Sequence, residues 1–212
     1  MARTPKPSGR KLPDKGKKVG RAPTRTRELH PYFLIVCEGE QTEPNYFKSF
    51  RVSADVKVIG TGRSTTGLVE YAKTLKDKAK RNQQAYTSVW VVFDRDDFSP
   101  ENFNGAIEQA KHAGFCVAYS NEAFELWYVL HFDYMDNAIS RQQYQDILSK
   151  RLVEPYRKND LTLYARLLNR QPDAIRNAER LLASYKPHPN PTYDNPCTAV
   201  HHLVQELNRH IR

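Results

Sequence analysis

The sequence has no apolar run near the ~20 residues that a membrane-spanning helix needs, and its first residues lack the apolar core of a signal peptide. Both absences lead to the expectation of a cytoplasmic protein with no membrane contact. Cysteine is scarce, and Cys37, Cys116 and Cys197 stand far apart. An odd, sparse count argues against a disulfide framework, and the spacing matches no zinc site. The three read as buried structural thiols. No internal repeat is visible. The stretch Gly62 to Gly67 has the glycines of a P-loop but lacks the Lys-Ser/Thr pair that would hold phosphates, so no nucleoside triphosphate site is expected there.

Acidic charge is nearly absent from one region only. Residues 1–27 hold ten Lys/Arg against Asp14 alone, a balance of +9 that equals the net charge of the whole chain. The remainder is therefore neutral, and the basic character belongs to the N-terminal segment. That segment, 1–29, also has almost no large apolar residue, so it cannot bury enough surface to offset its ordering entropy and is expected to be disordered when free. Its Lys15, Lys17, Lys18, Arg21, Arg25 and Arg27 suit neutralisation of nucleic-acid phosphates; a solubilising extension is the alternative.

What is present is a core. With 39% hydrophobic residues in 212, the chain suits one large domain over 30–212, with a helical C-terminal extension from about 133. Val89-Trp90-Val91-Val92-Phe93 runs without polar alternation into Asp94-Arg95-Asp96-Asp97, as a strand buried on both faces of a parallel sheet would. A second such strand, Tyr32 to Cys37, ends in Glu38-Gly39-Glu40. Shorter strands are expected at 56–59 and 115–119, separated by helices, with Thr42 and Ser99 as caps. Strand-helix alternation of this kind predicts an α/β fold with a Rossmann-like central parallel sheet of about four strands. After Ser120 the pattern turns helical, near 122–132, 140–151, 160–169, 172–185 and 196–210, the last capped by Asn195-Pro196.

Open α/β sheets bind ligands beyond the carboxyl ends of their strands. Asp94 and Asp96 point to the same side of an extended chain, and two carboxylates aimed at one spot repel unless a cation or a proton lies between them. Mg²⁺ fits, being held by one or two carboxylates plus water or phosphate. If the strands ending at Glu38 and Asp94 are neighbours, all three acids meet in one crevice. Asp97 reads as a third ligand or a surface acid, and Glu43 and Glu122 as further acids near the crevice. Glu125 lies in the apolar run 124–132 and needs a partner there: a metal or water contact, or a salt bridge to Arg95 or a lysine. Arg63 and Arg95 are candidates for the nucleic-acid backbone. His201, His202 and His210 read as a solvated face, and the tyrosines of the helical half (Tyr144, Tyr156, Tyr164, Tyr185 and Tyr193) as packing between helices, with stacking on bases as the alternative.

Cys-Glu-Gly-Glu-Gln-Thr-Glu-Pro-Asn-Tyr-Phe (37–47), Phe-Asp-Arg-Asp (93–96), Phe-Glu-Leu-Trp (124–127) and Asn195-Pro196 resemble the RloB-like family over roughly residues 32–207. More broadly, an apolar strand with Glu-Gly and another with Asp-x-Asp resemble the Toprim domain of primases, topoisomerases and OLD-type nucleases. The resemblance implies Glu38 as acid/base group, Asp94 and Asp96 as ligands of Mg²⁺ or Mn²⁺, and a link to bacterial restriction and phage-defence loci with an ATPase partner. One departure is Asp97-Phe98, where Toprim domains usually carry small residues. The function expected is metal-dependent phosphodiester cleavage of DNA or RNA. The alternative is a non-catalytic nucleic-acid-binding or adaptor subunit of an ATPase complex.

Overall fold

The computed structural model describes residues 30–62, 65–95 and 99–211. The expectations for the N-terminal basic segment, Arg63, Asp96 and Asp97 fall outside these residues. Four parallel strands, β1 (Tyr32–Cys37), β2 (Asp55–Gly60), β3 (Ser88–Asp94) and β4 (Cys116–Asn121), alternate with α1 (Thr42–Lys48), α2 (Thr65–Arg81) and α3 (Pro100–His112). With a short fifth strand, β5 (Cys197–Thr198), the sheet order is β2-β1-β3-β4-β5. The α/β expectation holds, with one strand more than expected.

β1 and β3 are central because their sequences are apolar on both faces. Phe33, Ile35 and Cys37 of β1 pack against one set of helices, whereas Leu34 and Val36 join Val89, Val91 and Phe93 under α2 and α3. Local chemistry sets the α3 boundaries: Ser99 Oγ accepts from Asn102 N (3.3 Å), Pro100 occupies the first turn, and Gly114 takes φ +70° just past the end. The C-terminal half supplies α4 (Glu125–Val129), α5 (Arg141–Leu152), α6 (Leu163–Leu167), α7 (Gln171–Ser184) and α8 (Val200–Asn208). Their buried residues share one cluster with Phe33 and Ile35, so these helices cover a face of the sheet. No helix among the described residues is long and apolar enough to cross a membrane.

Several local expectations are corrected. Thr42 is the first residue of α1 and not its cap, because Asn45 N already bonds Gln41 O (2.9 Å). The last helix starts at Val200. Residues 197–198 instead form β5, antiparallel to β4; Ala199 is the N-cap of α8, and Thr198 Oγ1 accepts from Val200 N (3.2 Å). Asn121 holds this return in place, its Nδ2 lying 3.0, 3.0 and 3.2 Å from the carbonyls of Pro191, Thr192 and Asp194. Helix α4 is shorter than 122–132, since the preceding turn presents the Phe124 amide to Asp94. Cys37 and Cys197 are buried, but Cys116 is exposed, at the uncovered start of β4. His201 is also buried, packed beneath its exposed neighbour His202, and desolvation pushes it down to about 3. Tyr144 is fully buried, while Tyr193 is exposed.

Candidate functional site

The site grows from the pairing of β1 with β3, which sets Cys37 opposite Val92 and carries Glu38 to the end of β3. Glu38 N donates to Val92 O (2.9 Å), and the Glu38 carboxylate accepts from Asp94 N (3.3 Å). Strand ends that are adjacent in the sheet thus put Glu38 and Asp94 side by side. The loop after β2 closes the same end, with Gly62 N bonding Glu38 O (2.8 Å). Here glycine is needed: a Cβ on Gly60 would sit 2.7 Å from Gly39 O, and Gly62 adopts φ +59°.

Asp94 is 7% exposed. Its Oδ2 accepts from Phe124 N (3.0 Å) and from Arg141 Nη2 (3.4 Å), whereas the buried Oδ1 has no hydrogen-bond partner among the described residues. Glu43 and Glu125 are buried beside it. The Glu43 carboxylate bonds the backbone amides of Gly39 and Glu43 itself. A Cβ on Gly39 would overlap that carboxylate, which gives this glycine its place in the Glu-Gly pair. Glu125 Oε1 accepts from Gln145 Nε2 (3.2 Å) and Tyr156 Oη (3.4 Å). In place of the salt bridge expected for Glu125, the described residues supply an amide and a phenol as its donors.

The acids raise one another. Burial first, then the charges of Glu43 and Glu125, push Asp94 well above the ordinary carboxyl range. Burial, with Glu125 behind it, raises Glu43. Glu38 moves from 4.5 to about 7, chiefly through desolvation and then Glu43, with Asp94 N and Arg141 opposing. Because the neutral form is favoured in the fold, this contribution to stability is complete below the unfolded value of 4.5 and is lost as pH rises through about 7. Relative to Glu38→Gln, the parent is expected to lose about 1–2 kcal/mol across that window after allowance for solvent screening. Paired chemical-denaturation curves at several pH values would show it, and parallel pH profiles would refute it.

The structure joins Glu38, Glu43, Asp94 and Glu125 in this cluster and leaves Glu122 apart, where its charge acts on Tyr144 instead. Arg95 is half-buried at the same strand end, its N bonded to Ser120 O (2.8 Å). Sequence reasoning missed Arg141, Gln145 and Tyr156. The local signal near them was only the start of α5, where Ser140 and Gln143 form a capping box.

Glu125→Gln keeps the acceptor and removes a repelling charge, so it is expected to cost less stability than Glu125→Ala. Glu125→Ala strands the Gln145 amide and the Tyr156 hydroxyl and should cost about 1–3 kcal/mol. Urea melts distinguish them; equal losses in both variants would contradict this account of the buried carboxylate.

Among the described residues no group of three or more His, Cys, Asp or Glu is arranged to hold a metal ion. A hard cation of the Mg²⁺ type needs only one or two carboxylates, and the unpartnered Asp94 Oδ1 fits that requirement. The family model described as RloB-like protein matches residues 33–207. No curated protein and no solved structure matches the chain.

Proposed function

The chain belongs to the RloB-like family, and from that premise we propose that it is a metal-dependent phosphodiesterase of the Toprim type, cleaving DNA or RNA in a bacterial restriction-linked or phage-defence system with an ATPase partner. The observation that carries this reading is the contact of Glu38 with Asp94 (3.3 Å) beside a buried carboxylate oxygen that lacks a partner among the described residues. Asp94, with Asp96 two residues on, would hold Mg²⁺ or Mn²⁺. The ion, when bound, would polarise the phosphoryl oxygens of the scissile group.

The chain's own residues supply the rest. Glu38, raised to about 7, is suited to take a proton from the attacking water near neutral pH. Arg141 steadies Asp94 from the N-terminal turn of α5. Glu125, which accepts from Gln145 and Tyr156, would form the wall behind Asp94. Arg63, Arg95 and the N-terminal lysines and arginines would contact the nucleic-acid backbone.

The adaptor reading retains one specific support: Arg141 already places a cation beside Asp94, which a site without metal would also need. A cleavage assay decides between the two. RNA and DNA are offered together with Mg²⁺ or Mn²⁺, with and without the neighbouring ATPase. Metal-dependent scission abolished by Asp94→Asn and Asp96→Asn supports the phosphodiesterase. Cation binding without turnover in every arm supports the adaptor. Deleting residues 1–27 is further expected to weaken nucleic-acid binding and flatten its salt dependence, since fewer counterions are released; an unaltered salt slope would remove that segment from the interface.

A further inference from the structure

On one face of the sheet, at its β2 edge, a groove of about 1050 Å³ remains open. Phe47 of α1, Phe50 just past it, and Val56 and Val58 of β2 line it on one side, and Leu161, Leu168 and Ile211 from the C-terminal half. These last three are 70%, 42% and 52% exposed, so three of the five exposed large apolar side chains among the described residues gather here. Scattered apolar residues on a surface need no explanation, but a contiguous set does. The volume lies at the upper end for drug-sized ligands and suits several side chains of a peptide.

The strand beside the groove is also open. β2 is the terminal strand and pairs, among the described residues, only with β1. Asp55 N bonds Pro31 O (2.9 Å) on the β1 side. Amide and carbonyl groups alternate sides along a strand, so those of Val56 and Val58 point outward, away from β1. A long edge of this kind is usually blunted or used. Cationic side chains surround it. Lys48 and Arg51 line the groove, which has no acidic lining residue, and Lys57 is exposed on the opposite face of β2. The acid on that face, Asp55, lies 3.7 Å from His30.

We propose that the β2 edge is a docking site for an extended segment of a partner protein in which apolar residues alternate with acidic ones. The segment adds as a strand outside β2. Its apolar side chains enter the groove, and its carboxylates meet Lys57 on the other face and Lys48 and Arg51 at the rim. Charge selects this occupant over the chain's own N-terminal segment, whose ten Lys/Arg against one Asp would meet three like charges. The proposal does not depend on the catalytic reading.

The test uses the full chain and two labelled nine-residue peptides, one alternating valine with glutamate and one alternating valine with lysine. Fluorescence anisotropy reads affinity, and amide NMR reads the position of binding. The glutamate peptide is expected to bind with Kd below about 1 mM, and the lysine peptide at least about tenfold more weakly. The amide signals of Val56 and Val58 should shift on binding. Leu168→Glu and Val58→Pro should each weaken binding about tenfold or more. Leu168 is partly exposed and the Val58 amide faces outward, so both variants should keep the parent melting profile, which is checked first. The proposal is overturned if the glutamate peptide shows no saturable binding, or if the lysine peptide binds as well. It is equally overturned if peptide binds only after deletion of residues 1–27, which would make that segment the occupant. Self-association of the chain that Leu168→Glu abolishes and the glutamate peptide cannot displace would assign the groove to a second copy.

Discussion

Glu38→Gln is expected to keep most metal affinity and to lose about 10²–10⁴-fold in cleavage rate, the range removed with a positioned proton-transfer group. The amide preserves the acceptor for Asp94 N and deletes the group that titrates near 7. The parent rate should therefore fall about tenfold per pH unit on the acid side of the Glu38 titration, and the variant's residual rate should lack this limb. Asp94→Asn should behave in the opposite way. It loses the metal response, yet in the absence of metal it melts at a higher temperature, because burial and the charges of Glu43 and Glu125 already oppose ionisation at this position. Rates across pH and melting with and without Mn²⁺ read both effects. If both variants matched the parent in rate and in metal response, the catalytic assignment would be abandoned.

Tyr46→Ala is expected to be the most destabilising of the substitutions considered, at about 3–5 kcal/mol. Tyr46 lies in the apolar face of α1, with its ring 5.3 Å from Tyr164, 5.4 Å from Phe47 and 6.0 Å from Phe124. Its hydroxyl accepts from Gln171 Nε2 (3.3 Å), and Gln171 Oε1 in turn accepts from Asn208 Nδ2 (2.7 Å). One side chain therefore ties α1, which carries Glu43, to α7 and α8. Tyr46→Phe keeps the packing and leaves the buried Gln171 amide short of an acceptor, at a cost of about 1–3 kcal/mol. Chemical denaturation would rank the two; a Tyr46→Phe variant as stable as the parent would show that the hydroxyl contributes nothing, and equal losses in both variants would show that the ring packing contributes nothing.

The parts of this fold that are legible in sequence are those decided locally. An unbroken apolar run between polar boundaries specifies β1 and β3, and the Ser99-Pro100 pair specifies the start of α3. Glu38 and Asp94 are legible because each directly follows or ends such a strand, and parallel neighbours bring strand ends together. Glu43 was visible only as a first-turn acid. It is buried because α1 packs its first turn onto Gly39, which no periodicity reports. Arg141, Gln145 and Tyr156 reach the site through packing of the C-terminal half, across separations of 47, 20 and 31 residues from their partners. β5 has two residues, too few for an alternation to register, and its place follows from Asn121 holding the loop before it.

The bond from Ser53 to His210, 157 residues apart, and the bridge between Val52 and Ile211 bear on how the protein is made. A chain leaves the ribosome from its N-terminus at roughly 5–20 residues per second. On the order of ten seconds therefore separates the emergence of Ser53 from that of its last partner. Throughout that interval the sheet can pair β1, β2 and β3, but the seam beside β2 stays unlatched. Arg141 likewise emerges well after the acids that it faces. The nascent chain thus passes through a stage with strands assembled and the carboxylate cluster lacking its guanidinium, and the native seam closes only once His210 and Ile211 have emerged. A chain stalled before His210 would carry every acid of the site without the clasp that fastens the first-made part of the sheet to the C-terminal helices.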